Sequence, residues 1–141
     1  MYEVKRVAKG YMGLYATEPI KGGTVVLWLS EDSNYFKEPT RTSIQVGKLH
    51  LEHYEGGCTN HSCNPNAKVL SVIWGLDMST HFVPFGAFHE TAKVNPVLMA
   101  GEDILAGEEI TFDYETTESL MSDPFKCRCH SKWIRGKDYE E

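Results

Sequence analysis

The sequence lacks any long apolar run and any persuasive helical periodicity. No stretch approaches the length of a membrane-spanning helix, and residues 1–5 lack the apolar core of a signal peptide. No segment repeats apolar residues at helical spacing over several turns. We therefore expect a soluble, intracellular, mostly β protein. Its 141 residues suffice for one core and are too few for two ordinary domains.

A cluster of positive charge and a disulfide framework are also missing. The net charge is −6, and no Lys/Arg cluster offsets it, which argues against direct nucleic-acid binding. An acidic protein is compatible with a basic peptide as partner. Among the four cysteines, Cys127 and Cys129 are separated by one residue, a spacing unlike that of a disulfide framework. Free thiols or a metal site fit better.

What the chain does contain is a series of short apolar stretches bounded by turn residues, which predict strands. The predicted strands cover residues 2–7, 24–29, 67–74, 97–100 and 109–114, and residues 43–51 alternate in polarity as a strand does. Residues 30–42 are predicted to form a surface excursion, and residues 77–95 a loop with short strands. With no repeats and no linker, the pattern indicates a single domain of short strands.

The most unusual stretch is Asn60-His61-Ser62-Cys63-Asn64-Pro65-Asn66, which contains no aliphatic residue and precedes an apolar strand. One interpretation is a solvated Asx/Pro turn. The other is a buried polar segment that holds a ligand, in which every donor and acceptor must find a partner inside the fold.

Two glycines, Gly10 and Gly13, lie in the segment 9–16 between apolar residues. Glycine permits positive φ and close approach of another group to the main chain. The segment is predicted to be either a loop around a small ligand or a β-bulge.

Three segments together resemble the SET-domain family of lysine methyltransferases. Residues 60–66 match its Asn-His-Ser-Cys-x-Pro-Asn signature, and residues 107–114 match its Gly-Glu-Glu-hydrophobic-Thr-x-Asp-Tyr segment. Residues 10–16 are similar to its glycine motif, with Tyr15 in place of a phenylalanine. The resemblance covers nearly the whole chain and implies a SET domain over residues 1–120 and a post-SET-like segment over residues 121–141.

The resemblance implies a SET-domain (β-clip) fold of short curved sheets. In that fold the C-terminal segment threads under a loop as a pseudoknot and brings the polar signature beside Tyr114. The resemblance also implies S-adenosylmethionine in one pocket and a protein lysine entering a channel from the opposite face. The implied activity is methyl transfer to a lysine side chain of a protein, with histone tails as the family's best-known targets.

Site residues follow from the same resemblance. Tyr114 is implied to be catalytic, with its hydroxyl orienting amine and methyl, and Phe112 lies at the family's product switch in the substrate channel. Trp133 is implied to cover the adenine face, or else to act as a hydrophobic clamp. The implied cofactor-binding residues are Gly10, Tyr11, Met12, Gly13, Leu14, Asn60, His61, Tyr114 and Trp133.

The C-terminal segment departs from the family pattern. Members often carry Cys-x-Cys-x4-Cys-Arg-Gly, whose thiolates join the signature cysteine around zinc, but here Ile134 stands at the third cysteine. The candidate metal ligands are therefore Cys63, Cys127 and Cys129, and a structural zinc takes four ligands. His130 is a candidate for the fourth only with altered geometry, so zinc stays open.

Two other functions stay open: a catalytically silent SET-fold module that binds a partner, and a small metal-binding domain. A cysteine hydrolase using His61 and Cys63 is not expected, because residues two apart in an extended segment point to opposite faces. The family's usual arginine and aromatic before Asn60 are replaced by Gly57-Cys58-Thr59. The sequence does not predict the substrate protein or the oligomeric state.

Overall fold

The chain folds almost entirely into short strands. The computed structural model describes residues 1–8, 10–74, 80–84 and 95–140. The strands in these ranges are β1 Tyr2–Ala8, β2 Tyr11–Ala16, β3 Val25–Trp28, β4 Asn34–Phe36, β5 Ile44–Val46, β6 Leu49–Glu52, β7 Asn60–His61, β8 Ala67–Trp74, β9 Thr80–Pro84, β10 Asn95–Ala100, β11 Glu109–Phe112, β12 Phe125–Lys126 and β13 Trp133–Ile134. A single helical turn, α1 Tyr54–Gly57, and a 3₁₀ turn at Tyr114–Thr116 complete them. The predicted mostly β class is confirmed.

The strands form four small sheets. One has the order β1-β2-β11-β7, a second β3-β10-β8-β9, a third β4-β6-β5, and β12 pairs with β13. The pairings are antiparallel except that between β7 and β11, which is parallel. Small sheets of this kind need a shared core, because a hairpin alone is only marginally stable.

The core lies between these sheets and is aliphatic. β10 runs between β3 and β8, and its residues Val97, Leu98 and Ala100 are at most 1% exposed. Leu14 of β2 and Ile110 of β11 pair directly and are fully buried. A continuous apolar run is what a strand with neighbours on both edges and packing on both faces requires.

Strand predictions hold where apolar runs are long and fail where local turns intervene. The strand over 67–74 is confirmed as β8, whereas the alternating stretch 43–51 is a hairpin, β5 and β6, turning at Gly47 with φ 61°. The strand predicted to reach residue 114 ends at Phe112, because the Asp113 carboxylate caps the following 3₁₀ turn by accepting from the Glu115 N–H.

The glycine segment also differs from its prediction. Residues 11–16 form strand β2 rather than a loop, and the irregularity in register lies on β1 between Arg6 and Ala8. Of its two glycines, only Gly10, with φ 81°, has a conformation that favours glycine. The predicted loop over 77–95 falls mostly outside the described residues, apart from β9 and the start of β10.

Two distant parts of the chain cross, as the predicted pseudoknot requires. β7 pairs with β11 through Thr111 with Asn60 and Phe112 with His61, and the Ser62 N–H donates to the Phe112 carbonyl at 3.1 Å. Beyond the crossing, residues 119–121 bond to residues 135–138 in a tight return. Among the helices of the described residues, none has the length and apolar character needed to span a membrane.

Candidate functional site

Tyr114 lies where the two crossing segments meet. Its hydroxyl donates to the Thr59 carbonyl at 2.7 Å, and its main-chain N–H donates to His61 Nδ1 at 3.0 Å. Its ring lies 5.3 Å from the His61 ring and 5.0 Å from the Phe112 ring. Burial, and then the negative charge of Glu109, raise the pKa of Tyr114 above its usual value. The phenol is therefore a neutral hydrogen-bonding group at physiological pH.

The polar signature is tied to the surrounding strands by its amides. The Asn60 side-chain N–H₂ donates to the Met12 carbonyl at 2.8 Å and to Glu109 Oε2 at 2.7 Å, linking β7 to β2 and β11. Asn66 donates to the Glu109 carbonyl and accepts from the Thr111 N–H. Asparagine side chains are needed here, because main-chain N–H and C=O groups at the strand ends would otherwise lack hydrogen-bond partners, which is costly. The segment is thus a half-buried polar connector between strands of one sheet.

An open cleft of about 700 Å³ lies along this connector. Of the sequence-predicted cofactor residues, Gly10, Tyr11, Met12, Asn60, His61 and Tyr114 line it. Residues of five strands, β1, β2, β7, β11 and β12, line the cleft, and its volume is large enough for a nucleoside-sized ligand.

Gly13, Leu14 and Trp133 are not among the cleft-lining residues. A side chain at Gly13 would lie 2.7 Å from Val7 Cγ2, so glycine permits close strand packing there, and Leu14 is fully buried in the core. Trp133 is 53% exposed, with the Arg135 guanidinium 5.5 Å from its ring centre. Phe125 lines the cleft instead, at 5.9 Å from both the His61 and the Tyr114 rings.

A second, small pocket of about 20 Å³ shares Tyr114 with the cleft. Its lining includes Phe112, Tyr114, Thr59, Gly57, Ile44 and Glu118. Phe112 is 2% exposed, so its ring forms a wall of this pocket rather than a surface. Tyr114 lines both cavities, as do Arg41, Thr42, Gly57 and Met121.

Arginines also reach the cleft, and sequence reasoning gave them no role. The guanidinium carbons of Arg41 and Arg128 lie 5.9 Å and 5.2 Å from the Tyr11 ring centre. Arg41 Nε is 3.9 Å from Asp123 Oδ2. Tyr11, Arg41 and the segment that contains Asp123 and Arg128 lie in three separate parts of the chain. No local spacing in the sequence could therefore have linked these side chains.

Three thiols and one imidazole converge at one end of the cleft. The ligand atoms of His61, Cys63, Cys127 and Cys129 lie within 4.8 Å of one another, with 3.7 Å between the sulfurs of Cys63 and Cys127. The Cys63 N–H donates to Cys129 Sγ at 3.3 Å, an interaction that stabilises a thiolate. Three thiolate donors suit zinc, so the cysteines fit such an ion, and His61 can join them only as a tautomer whose Nε2 carries no proton.

The structure corrects two sequence-based inferences about this cluster. The His130 ring is exposed and outside the cluster, and His130 contributes its main-chain N–H to Cys127 Sγ at 3.4 Å. His61 and Cys63 do not point apart: His61 Nε2 is 3.2 Å from Cys63 Sγ. The alternation argument was wrong because β7 ends at His61 and the chain turns directly afterwards.

The thiols of the cluster differ in pKa. Burial raises the pKa of Cys63, with the neighbouring Cys129 and Cys127 adding to the effect, to about 12. Burial also raises the pKa of Cys127, but the main-chain N–H groups of Lys132 and His130 outweigh it and bring the value to about 7. Since His61 Nδ1 accepts from the Tyr114 N–H, its Nε2 carries the ring proton and faces Cys63. A bound cation would displace thiol protons.

Comparisons with known proteins agree with this geometry. A family model described as the SET domain matches residues 11–115. The histone-lysine N-methyltransferase SUV39H2 of Mus musculus is 30% identical over 129 residues, which cover 82% of this chain and 23% of that protein. The chain thus spans about a quarter of the length of this relative.

Solved structures agree in fold. KRYPTONITE in complex with mCHH DNA, an H3(1-15) peptide and SAH has a TM-score of 0.63 at 21% identity, covering 91% of this chain and 27% of that chain. KRYPTONITE in complex with mCHG DNA and SAH has a TM-score of 0.65 at 20% identity, covering 92% and 28%. These matches show the fold, and the match of the SET-domain model over residues 11–115 shows that the chain belongs to the SET-domain family.

Proposed function

We propose that the protein is an S-adenosylmethionine-dependent protein-lysine N-methyltransferase. The observation that carries the proposal is that Tyr114 lines both the large cleft and the small pocket. One cavity has the size for a cofactor, the other the size for the end of an amine side chain. A group that lines both contacts donor and acceptor at once.

The large cleft is the proposed cofactor site. Its lining by Gly10, Tyr11 and Met12 and by Asn60 and His61 supports this assignment. Phe125 offers an aromatic face against which an adenine can stack. The curated relative is a histone-lysine N-methyltransferase, and both KRYPTONITE complexes contain SAH, the product form of the donor.

Methyl transfer then requires that the methyl donor and the lysine amine are aligned in a channel without water. S-adenosylmethionine supplies a methyl group on a sulfonium, which is already a good leaving group. The protein must hold a neutral amine in line with it at near-attack distance. A lysine with a pKa near 10.4 must first lose a proton, and a desolvated pocket beside a positive sulfonium favours that loss. Tyr114 orients the amine, while main-chain carbonyls such as that of Thr59 can hold the polarised methyl through C–H···O contacts.

The C-terminal segment has a structural role in this proposal. Residues 1–120 form the SET domain, and residues 121–141 a post-SET-like segment that closes the cleft with Phe125. Cys63, Cys127 and Cys129 are proposed to hold a zinc ion that fixes this segment to the polar signature.

A lysine in a basic protein segment is the proposed substrate, and a histone tail is the first candidate. The net charge of −6 favours a basic partner. A histone H3 peptide is bound in one of the KRYPTONITE complexes. That complex also contains DNA, whereas the acidic charge of this chain favours the peptide as its partner.

The test is transfer of a radiolabelled methyl group from S-adenosylmethionine to a panel of histones and to a cell lysate. The proposal requires labelled protein with the wild-type chain and its loss with Tyr114→Phe. A calorimetric titration with S-adenosylmethionine accompanies the assay. Binding of S-adenosylmethionine without methyl transfer would make the chain a silent SET-fold module. The absence of both binding and transfer would overturn the proposal.

A further inference from the structure

Glu118 is a buried carboxylate to which the proposed mechanism gives no role. The residue is 6% exposed and follows Tyr114 by four positions, with its N–H donating to the Tyr114 carbonyl at 2.9 Å. Residues four apart in a turn lie on the same side. Accordingly, Glu118 lines the small pocket together with Tyr114 and Phe112.

The carboxylate is held by neutral donors. Its Oε2 accepts from the Gln45 N–H at 2.8 Å and from the Thr117 hydroxyl at 2.7 Å. Within the part of the chain that the structure describes, Oε1 receives no hydrogen bond and no cation lies at ion-pair distance. Burial therefore raises the pKa of Glu118, although both donors and the charge of Lys137 act against this.

A largely buried carboxylate without an ion-pair partner is costly, because its charge has lost much of its water and has only the more distant Lys137 as a counter-charge. The pocket it lines measures about 20 Å³. That volume holds one water-sized group, and an ammonium group is of that size. Arg41 also lines this pocket, but its Nε lies 3.9 Å from Asp123 Oδ2 outside it, so Glu118 is the acidic group that the pocket offers to a ligand. Shape and charge together therefore match a primary ammonium.

We propose that Glu118 binds the ammonium group of the incoming substrate lysine through its free Oε1, before the amine loses its proton. The inference rests on the proposed function, since it assigns the small pocket to a lysine side chain. A carboxylate stabilises the charged amine, so Glu118 favours capture of the lysine rather than the methyl-transfer step. It is a positioning residue, and we expect its substitution to change the affinity for the substrate peptide.

The first test compares Glu118→Gln with the wild type in binding two peptides to the SAH-loaded protein. One is the peptide that the methyl-transfer screen identifies, and the other carries norleucine in place of its target lysine. Gln keeps the shape and can still accept from the Gln45 N–H. We expect the lysine peptide to bind about tenfold to a hundredfold more weakly to the variant, as expected for loss of a hydrogen bond between charged groups. Binding of the norleucine peptide should be unchanged.

Gln45→Ala is the matched structural control. It removes the bonds of the Gln45 side chain to Ser119 at 2.8 Å and 3.1 Å but leaves the carboxylate in place. Any loosening of the C-terminal segment around Ser119 should therefore weaken the binding of both peptides equally. Equal weakening of both peptides by Glu118→Gln would overturn the proposal, as would an unchanged affinity for the lysine peptide.

The second test does not depend on methyl transfer. n-Butylammonium is titrated against the 141-residue chain by NMR, with n-butanol as the neutral control, in wild type, Glu118→Gln and the exposed-surface variant Glu102→Gln. Saturable shifts from the ammonium alone, lost only in Glu118→Gln, support the site even if no methyl transfer is found. Chemical-shift changes that are equal in all three proteins, or equal for n-butylammonium and n-butanol, would overturn the Glu118 proposal. They would do so even if the protein proves to be an active methyltransferase.

Discussion

The Tyr114 hydroxyl is the single atom on which the most direct prediction depends. Tyr114→Phe removes the donor to the Thr59 carbonyl and the group that orients the amine, while the ring can keep its contacts with His61 and Phe112. We expect kcat to fall at least about 100-fold, the scale of a misplaced reacting group. Calorimetry with SAH should show nearly unchanged affinity. A variant with normal turnover would remove Tyr114 from the mechanism.

Phe112 tests the shape of the small pocket at the same scale. It is buried beside Tyr114, with ring centres 5.0 Å apart, and carries no hydroxyl to hold a water. We expect wild type to give di- or trimethyl-lysine and Phe112→Tyr to shift the product toward monomethyl-lysine, because an added hydroxyl fills the space needed by a second methyl. Mass spectrometry of the modified peptide measures this. An identical product distribution in both proteins would contradict it.

At the scale of elements, the return of the C-terminal segment over residues 119–121 depends on Gly136. Its φ is 112°, and a Cβ there would lie 2.4 Å from the Ser119 carbonyl oxygen. We expect Gly136→Ala to lower the free energy of unfolding by about 3 kcal/mol, because backbone must shift as well as adopt a strained φ. Urea denaturation measures this.

Gly23→Ala is the matched control for that prediction. Gly23 has φ 90° but open space around its Cβ position, so the substitution isolates the conformational cost. A loss of about 1–2 kcal/mol is expected there. Equal losses at the two glycines would show that crowding against Ser119 does not matter.

The contact between the 3₁₀ turn at Tyr114–Thr116 and the segment that follows Cys127 and Cys129 should make the free energy of unfolding depend on pH. Lys132 Nζ lies 3.2 Å from Glu115 Oε1, and the Gly136 N–H donates to Glu115 Oε2. Burial alone would raise the pKa of Glu115, but Lys132 and the amide lower it overall. A lowered folded-state pKa adds stability above the ordinary glutamate range that is lost as pH falls through the folded value.

Glu115→Gln should therefore destabilise the protein near neutral pH by at most about 1 kcal/mol, since Lys132 is half exposed. The difference from wild type should shrink as the pH falls below about 4.3. Urea unfolding at pH 7 and pH 3.5 measures both, with the exposed Glu102→Gln as control. A difference that is constant with pH would rule out the ion pair as its cause.

At the scale of the molecule, the thiol cluster joins parts of the chain more than 60 residues apart, Cys63 with Cys127 and Cys129. We expect the purified protein to contain about one zinc per chain. Chelation should lower Tm by about 5 °C or more, as loss of a ligand bound only by the folded state does. Elemental analysis and thermal denaturation test this.

Variants at two cysteines make the metal prediction specific. Cys129→Ser should reduce zinc content and Tm, whereas Cys58→Ser should change neither, because Cys58 lies outside the cluster. Cobalt substitution gives a readout independent of activity, since thiolate-to-cobalt absorption should weaken in Cys129→Ser. Zinc-free protein with full stability would contradict the prediction.

Much of this molecule could be predicted from local sequence. The apolar run of β8 gave the strand bounds, because long buried runs leave little choice of structure. The signature at residues 60–66 and Tyr114 indicated which segments meet. Where a prediction failed, a local turn had altered the direction of a side chain, as at Cys63 after β7 and at Asp113 after β11.

The sequence by itself determined the mostly β class, the family and the residue types that the chemistry needs, since these depend on composition and on short ordered motifs. The tertiary structure alone decided which groups are neighbours: Phe125 rather than Trp133 at the cleft, His61 rather than His130 beside the thiols, and Glu118 at the small pocket. The physical reason is that these contacts join residues far apart in the chain, through the parallel pairing of β7 with β11 and the return of the C-terminal segment. No local period or spacing encodes such a crossing, whereas the free energy of the whole packed molecule does.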